Sequence, residues 1–274
     1  MYNLKTGLSI ELADITEETF IDCKESGVYS IDPGLSKRFT MDEFVSQLSV
    51  VNKKAEEYGV CIECIHLPYG FGWDISERFE PLRKAAVKAH AEVMRACNEV
   101  CPSNYFVLHP SAEPISDVFR EERFKCAAES LSVIRNDKLL IENLPRSCLA
   151  HTADELLKLV APFDEVAVCC DVNHLLLETP QSALAKLKGK VKHLHISDND
   201  GTNERHWLPG EGIINWNEVI GTLEKIGYDK VFNYEVRKYL PHEVTENKKT
   251  LFDAYNGALI PERGAGSYVS DERF

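Results

Sequence analysis

The sequence predicts an α/β fold, a single closed (β/α)8 barrel over residues 1–260, and three observations carry that prediction. Six short apolar runs (CIECIHLP, YFVLHP, LLIENLP, VAVCCDVNH, VKHLHISD and VFNYEV) each close on a polar side chain: His66, His109, Glu142, Asp171, His195 and Glu235. Runs of this kind suit strands buried on both faces of a parallel sheet. The gaps between these residues are 43, 33, 29, 24 and 40, each about one strand–helix unit. A polar residue ending each successive strand falls on one rim of the barrel, where barrel active sites are built. Finally, no Gly-rich dinucleotide fingerprint or phosphate loop follows any strand, so an open doubly wound sheet gains no support.

The elements follow in strict alternation. A strand over 6–10 leads to a helix over 17–25 and a second strand over 28–32. Residues 41–58 form a helix with Thr40 as N-cap and Gly59 as its stop. The third strand ends at His66, and a long amphipathic helix covers 76–101, where Pro102 forbids continuation. The fourth strand ends at His109, before a helix over 116–135. The fifth ends at Glu142 (helix 152–160) and the sixth at Asp171 (helix 181–188). The seventh ends at His195, and a long loop precedes a helix starting near Asn215. The eighth ends at Glu235, and a last helix runs over 244–255. The polar tail 261–274 is read as a frayed end or as an arm that docks on a second copy in a homo-oligomer.

Composition bounds the function. A chain of 274 residues with 44% hydrophobic and 27% charged residues is ordinary for a globular enzyme. The N-terminal stretch lacks a basic segment followed by an apolar one, and no apolar run is long enough for a membrane span, so a cytoplasmic protein is expected. A net charge of −13 favours a small substrate over DNA, because phosphate neutralisation by basic side chains supplies much of nucleic-acid affinity. Nine scattered cysteines without a secretory signal suggest reduced thiols. Cys61 and Cys64 sit three apart on a strand and face opposite sides, so core packing is expected rather than a metal site.

Glu142, Asp171, His195 and Glu235 come from four consecutive units and line one half of the rim. Three carboxylates and one imidazole form a hard donor set suited to one Mn²⁺, Mg²⁺ or Zn²⁺, with positions left open. Without a cation, clustered carboxylates repel and take up protons. His174 shares the Asp171 loop, and His66 and His109 occupy the adjacent arc. Glu204, Arg205 and His206 precede the turn Pro209-Gly210-Glu211-Gly212. Arg146 and Arg237 lie an even number of residues beyond Glu142 and Glu235; were the strands to extend that far, both would face inward and bind a phosphate or carboxylate. Tyr69, Phe71 and Trp73 either wall a pocket or pack on the rim. His193 is read as core, and His90, His151 and His242 as solvated.

These residues resemble the xylose isomerase-like TIM-barrel superfamily over nearly the whole chain. The carriers are HLPYG at 66–70, LHP at 108–110, IEN at 141–143, DVNH at 171–174, HLHISDNDG at 193–201, the PGEG turn with Ile214-Asn215-Trp216, and YEVR at 234–237. The superfamily holds sugar and sugar-phosphate isomerases and epimerases, inosose dehydratases, hydroxypyruvate isomerases and endonuclease IV-type apurinic endonucleases. For the epimerase and isomerase branches the resemblance implies one divalent metal on Glu142, Asp171, His195 and Glu235, with the two glutamates also acting as acid and base. It thus implies carbohydrate metabolism, with proton transfer next to a carbonyl through an enediolate. An inosose dehydratase-like lyase would share the first step and then expel a β-hydroxyl. His174 and Arg205 would polarise substrate oxygens.

The endonuclease branch is the alternative. It implies three Zn²⁺ held by His66, His109, Glu142, Asp171, His174, His195, Glu204, His206 and Glu235, with Glu204 departing from that branch's Asp. Tyr69 matches a position used there against DNA. The acidic charge and the lack of a basic, aromatic-interleaved insertion weigh against it. The intact carboxylate set weighs against a third possibility, a barrel that has lost activity and only binds.

Overall fold

The computed structural model describes residues 1–35, 40–112 and 114–257, and within them the chain closes into the expected barrel. The 261–274 tail lies outside the described residues. In chain order the elements are β1 (Lys5–Glu11), α1 (Glu17–Ser26), β2 (Ser30–Gly34), α2 (Met41–Tyr58), β3 (Cys61–Ile62), β4 (Cys64–His66), α3 (Glu80–Val100), β5 (Tyr105–Leu108), α4 (Asp117–Ile134) and β6 (Leu139–Glu142). They continue as α5 (Ala153–Val160), β7 (Ala167–Asp171), α6 (Pro180–Lys186), β8 (Val191–His195), β9 (Asp198–Asn199), β10 (Glu204–Trp207), α7 (Trp216–Ile226), β11 (Val231–Tyr234) and α8 (Pro241–Tyr255). The parallel sheet runs β11-β1-β2-β4-β5-β6-β7-β8, with β3 beside β2. A bridge between Ile196 and Tyr234 closes the ring, its hydrogen bonds running from Ile196 N to Asn233 O (2.8 Å) and from Glu235 N to Ile196 O (3.0 Å).

Local chemistry sets the helix ends. Thr40 caps α2 in a reciprocal box with Glu43, and Gly59 ends it in the left-handed conformation. Thr16, Thr152, Thr179 and Asn215 accept N3 amides in the same way. No described helix is long and apolar enough to cross a membrane.

The structure departs from the sequence expectation at identifiable places. Helix α3 starts at Glu80 rather than 76, because the Asp74 carboxylate takes both the backbone amide and the hydroxyl of Ser76 and holds that stretch as a turn. Its Pro81 belongs in the first helical turn, where a missing amide costs nothing. Strand β2 is displaced two residues, to Ser30–Gly34, and α8 begins at Pro241, before the expected 244. The third barrel strand is interrupted at Glu63: the Cys64 amide donates to Asp32 Oδ1 (3.0 Å) in place of a ladder carbonyl. The loop after β8 carries an unforeseen antiparallel ribbon, β9–β10, with an irregular register at Glu204/Trp207. His90 is not solvated as expected; it is buried on the inner face of α3, 2.9 Å from the Trp73 carbonyl, and burial pulls its pKa down to about 4.

All nine cysteines are free, and eight are buried. The barrel interior is two-sided. Cys64, Val107, Leu140, Ala167 and Cys169 form an apolar plug across β4 to β7. Against it, β1, β2, β8 and β11 turn in Gly7, Ser30, Asp32, His193 and Asn233, all buried or without a side chain. Gly7 is needed there: a Cβ would lie 2.5 Å from Val231 Cγ1, 2.7 Å from Asn233 Oδ1 and 2.9 Å from Ser30 Oγ. The substitution Gly7→Ala is expected to lower unfolding free energy by about 1–3 kcal/mol through overpacking, measured by urea denaturation. A midpoint equal to that of the parent would contradict the close approach.

Candidate active site

At the C-terminal rim the strand ends converge on Glu142, which is fully buried. His109 Nε2 lies 2.8 Å and His66 Nε2 3.2 Å from its Oε2, and His195 Nδ1 lies 2.8 Å from its Oε1. Burial alone would push the Glu142 carboxyl up, but His195 and His109 outweigh it and hold the group well below the usual carboxylate range. Burial disfavours a charged His66, yet Glu142 raises that ring above its ordinary value; for His109 burial wins and the ring is lowered. His195 is raised well above the usual range against the effect of burial, by Cys169, Glu235 and Glu142. Cys169 is itself pushed up to about 12 by burial, so near neutral pH it is an uncharged thiol and the two carboxylates carry the effect on His195.

Asp171 is the complement. Burial, then the charges of Glu235 and Glu142, raise it well above the normal aspartate value. Its Oδ1 accepts from Asn173 N (2.7 Å), while its Oδ2 is buried with no hydrogen-bond partner. His174 Nδ1 lies 3.2 Å from that atom but is committed to the Asn143 carbonyl at 2.9 Å. Glu142, Asp171, His195 and Glu235 can each place one ligand atom within 4.8 Å of the others. The donor set fits a divalent cation: hard, mostly oxygen, and with one carboxylate oxygen left without a donor.

The structure gathers further predicted residues at the same mouth. His174 Nε2 is 3.4 Å from Glu204 Oε2, and His206 Nδ1 is 3.0 Å from the Glu235 carbonyl. Tyr69 stacks on His109 (centroids 4.6 Å) and meets the edge of His66. A cavity of about 590 Å³ opens beside the cluster, with His66, Tyr69, His206, Glu235, Asp32 and Arg237 in its walls. Three other predicted residues have partners of their own. Trp73 packs against His90 and the core. Arg205 pairs with Asp200 at 2.6 Å, and Arg146 pairs with Glu204 at 2.9 Å. The strands stop at Glu142 and Tyr234, so Arg146 and Arg237 do not share an inward strand face.

Several supporting residues escaped sequence reasoning. Asn143 bonds both backbone groups of Asp171, N to Oδ1 and O from Nδ2, each at 2.8 Å. Asn199 Nδ2 donates to the Asn173 carbonyl, and Asn173 Oδ1 accepts from Arg205 N. Below them His193 Nε2 faces Asp32 Oδ2 at 2.8 Å. Asp198 anchors the long loop: it accepts from Asn199 N, Gly210 N, Ile214 N and Trp216 Nε1 at 2.8–3.2 Å. The signal for Asn143, Asn173, Asp198 and Asn199 was their place one to four residues beyond a ligand-type residue, in IEN, DVN and HISDN.

A family described as xylose isomerase-like TIM barrel matches residues 20–253. An uncharacterized protein of Methanocaldococcus jannaschii is 28% identical over 172 residues, which is 57% of this chain and 58% of that protein. Fructoselysine 3-epimerase of Escherichia coli O157:H7 is 29% identical over 100 residues, 36% of this chain and 35% of the enzyme. The chain thus spans less than two thirds of the length of either curated relative. A D-tagatose 3-epimerase-like protein superposes with a TM-score of 0.77 at 23% identity, covering 93% of this chain and 99% of its own. L-ribulose 3-epimerase gives 0.73 at 15% identity, with 93% and 96% covered. At such identities the structural likeness is one of fold.

Removing the loop anchor tests how the site is held. Asp198→Ala leaves buried amides and the Trp216 indole N–H without acceptors. It is expected to cost about 2–4 kcal/mol and to change Trp216 fluorescence. Unaltered emission and stability would show the loop to be held by other contacts.

Proposed function

The chain belongs to the xylose isomerase-like TIM-barrel family, and from that premise we propose that it is a divalent-metal-dependent sugar epimerase or isomerase. The reaction is proton transfer at a carbon next to a carbonyl. One observation carries the reading: four donors from four successive strands within 4.8 Å, one of them a buried carboxylate oxygen without a hydrogen bond. The sugar 3-epimerases among its relatives support it. A divalent cation on Glu142, Asp171, His195 and Glu235 supplies Lewis-acid stabilisation of the negative charge that develops on oxygen as the proton leaves carbon.

The chain's own residues do the rest. Glu235 is the cluster carboxylate that lines the cavity, and burial, which raises it, is outweighed by His195, so it stays ionised and able to accept a proton. Glu142 comes from a different strand, with His109 at 2.8 Å as its proton partner. A proton taken by one glutamate and returned by the other to the opposite face of the same carbon is epimerisation; return to the neighbouring carbon is isomerisation. Loss of a β-hydroxyl after the first step gives the dehydratase variant. Tyr69, stacked on His109, forms part of the cavity wall.

A second reading, a zinc-dependent apurinic endonuclease, is favoured by one observation: all nine ligand-type residues from His66 to Glu235 face one mouth. The Arg146–Glu204 pair and the acid excess speak for a small substrate.

Metal analysis of the protein purified without added metal is expected to give about one divalent ion per chain, whereas three zinc ions would favour the nuclease. Glu142→Gln is expected to lower turnover by about 10²–10⁴-fold with the fold retained, and unchanged turnover would remove its catalytic assignment. Apparent metal affinity is expected to fall on acidification from about pH 7.5 to about pH 5.5, since the raised His195 and Asp171 hold protons that the cation must displace. Calorimetry in buffers of different ionisation enthalpy reads that proton release; its absence would refute the assigned ligands.

A further inference from the structure

We infer that the substrate bears an oxyanion, a phosphate or a carboxylate, at the end remote from its reacting carbonyl, and that Arg237 and Lys238 receive it. This deepens the proposed function and depends on it for the reacting end.

Charge pairing sets Arg237 apart. The chain holds 44 carboxylates against 31 lysines and arginines, so an arginine rarely lacks a partner. Eight of the nine described arginines lie within ion-pair distance of a carboxylate, Arg120 with Glu155 and Arg146 with Glu204 among them. Arg237 is the ninth. Among the described residues it has no carboxylate partner, although Glu235, Glu11 and Asp14 line the same cavity. The neighbouring Lys238 lines that cavity and also makes no ion pair among the described residues.

The backbone places both residues, whose side chains are exposed to solvent, at the cavity wall. Beyond the end of β11, the Arg237 amide donates to the His206 carbonyl at 3.1 Å, tying this loop to the ribbon at the metal-ligand cluster. Lys238 then takes a φ of +67°, a left-handed conformation that is unfavourable for a residue with a Cβ. Such conformations persist where the surrounding structure imposes them, commonly at ligand sites. A guanidinium fork beside an ammonium matches the geometry of phosphate and carboxylate oxygens.

The cavity also has the volume. About 590 Å³ is in the range of drug-sized ligands and extends from His66 and Glu235 to Leu240 and Pro241 at the start of α8. A sugar backbone laid against Glu235 leaves room for a further group near Arg237. The sequence pointed to an Arg146/Arg237 pair; the structure assigns Arg146 to Glu204 and gives Arg237 the adjacent lysine instead.

The test compares wild type, Arg237→Ala and Arg237→Lys as metal-loaded enzymes. Substrates are a neutral ketohexose, its 6-phosphate and the matching ketouronate, and inorganic phosphate is titrated by calorimetry. One anionic ketose is expected to exceed the neutral sugar in kcat/KM by roughly 10- to 100-fold, mainly through KM, with Arg237→Ala bringing the ratio toward one and Arg237→Lys retaining part of it. Which anion wins identifies the group. Equal kcat/KM for neutral and anionic sugars, or a ratio unaltered in Arg237→Ala, overturns the inference and leaves the sugar chemistry standing. If no ketose reacts but phosphate binds and weakens roughly tenfold in Arg237→Ala, the oxyanion site holds and the reaction assignment fails. No Arg237-dependent phosphate binding together with no anionic preference removes the site.

Discussion

The structure turns on a buried carboxylate ringed by imidazoles. Glu142 has no contact with water, and its negative charge is tolerable only because His66, His109 and His195 lie within 3.2 Å. Those rings in turn need the strands that carry them to end at the same height. A displaced strand would leave an uncompensated charge in the interior, which costs several kcal/mol. The same cluster separates its proton inventory: Glu142 and Glu235 are driven toward the ionised form, while Asp171 and His195 are driven to hold protons. A divalent cation bound there would take the place of those protons on donors already gathered within 4.8 Å of one another, which is a form of preorganisation.

The barrel reflects this division of labour. One side of its interior is an apolar plug with cysteines as small hydrophobes, giving a rigid backing. The other side, where the cavity opens, is built from Gly7, Ser30, Asp32, His193 and Asn233. Beneath the mouth the Asp32 carboxylate accepts from the Cys64 amide and lies 2.8 Å from His193 Nε2.

Much of this was legible from the chain. Glu142, Asp171 and His195 end their strands as the apolar runs predicted, and Thr40 and Gly59 bound α2 to the residue. Buried parallel strands advertise themselves by composition, and caps by short-range chemistry. What escaped depended on contacts distant in sequence. Nothing near Cys64 announces that Asp32, thirty-two positions away, will take its amide. Asp198 reads as one of several loop acids until Gly210, Ile214 and Trp216 are seen around it. His90 looked solvated because α3 turns it under Trp73, a contact that helical periodicity alone did not single out. Arg146 and Arg237 were equivalent by parity and became distinct only when Glu204 came across from the ribbon.

The ring of strands is sewn unevenly. Between β8 and β11 the backbone is joined by the single Ile196–Tyr234 bridge, and between β2 and the third barrel strand the ladder is broken at Glu63. The three strands between these seams, β11, β1 and β2, form an arc set off from the rest of the ring. Glu235 belongs to the smaller arc, and Glu142, Asp171 and His195 to the larger. An ion shared among them would therefore be a mechanical clasp as well as a chemical one, fastening the barrel at its weaker join and stiffening the wall of the cavity.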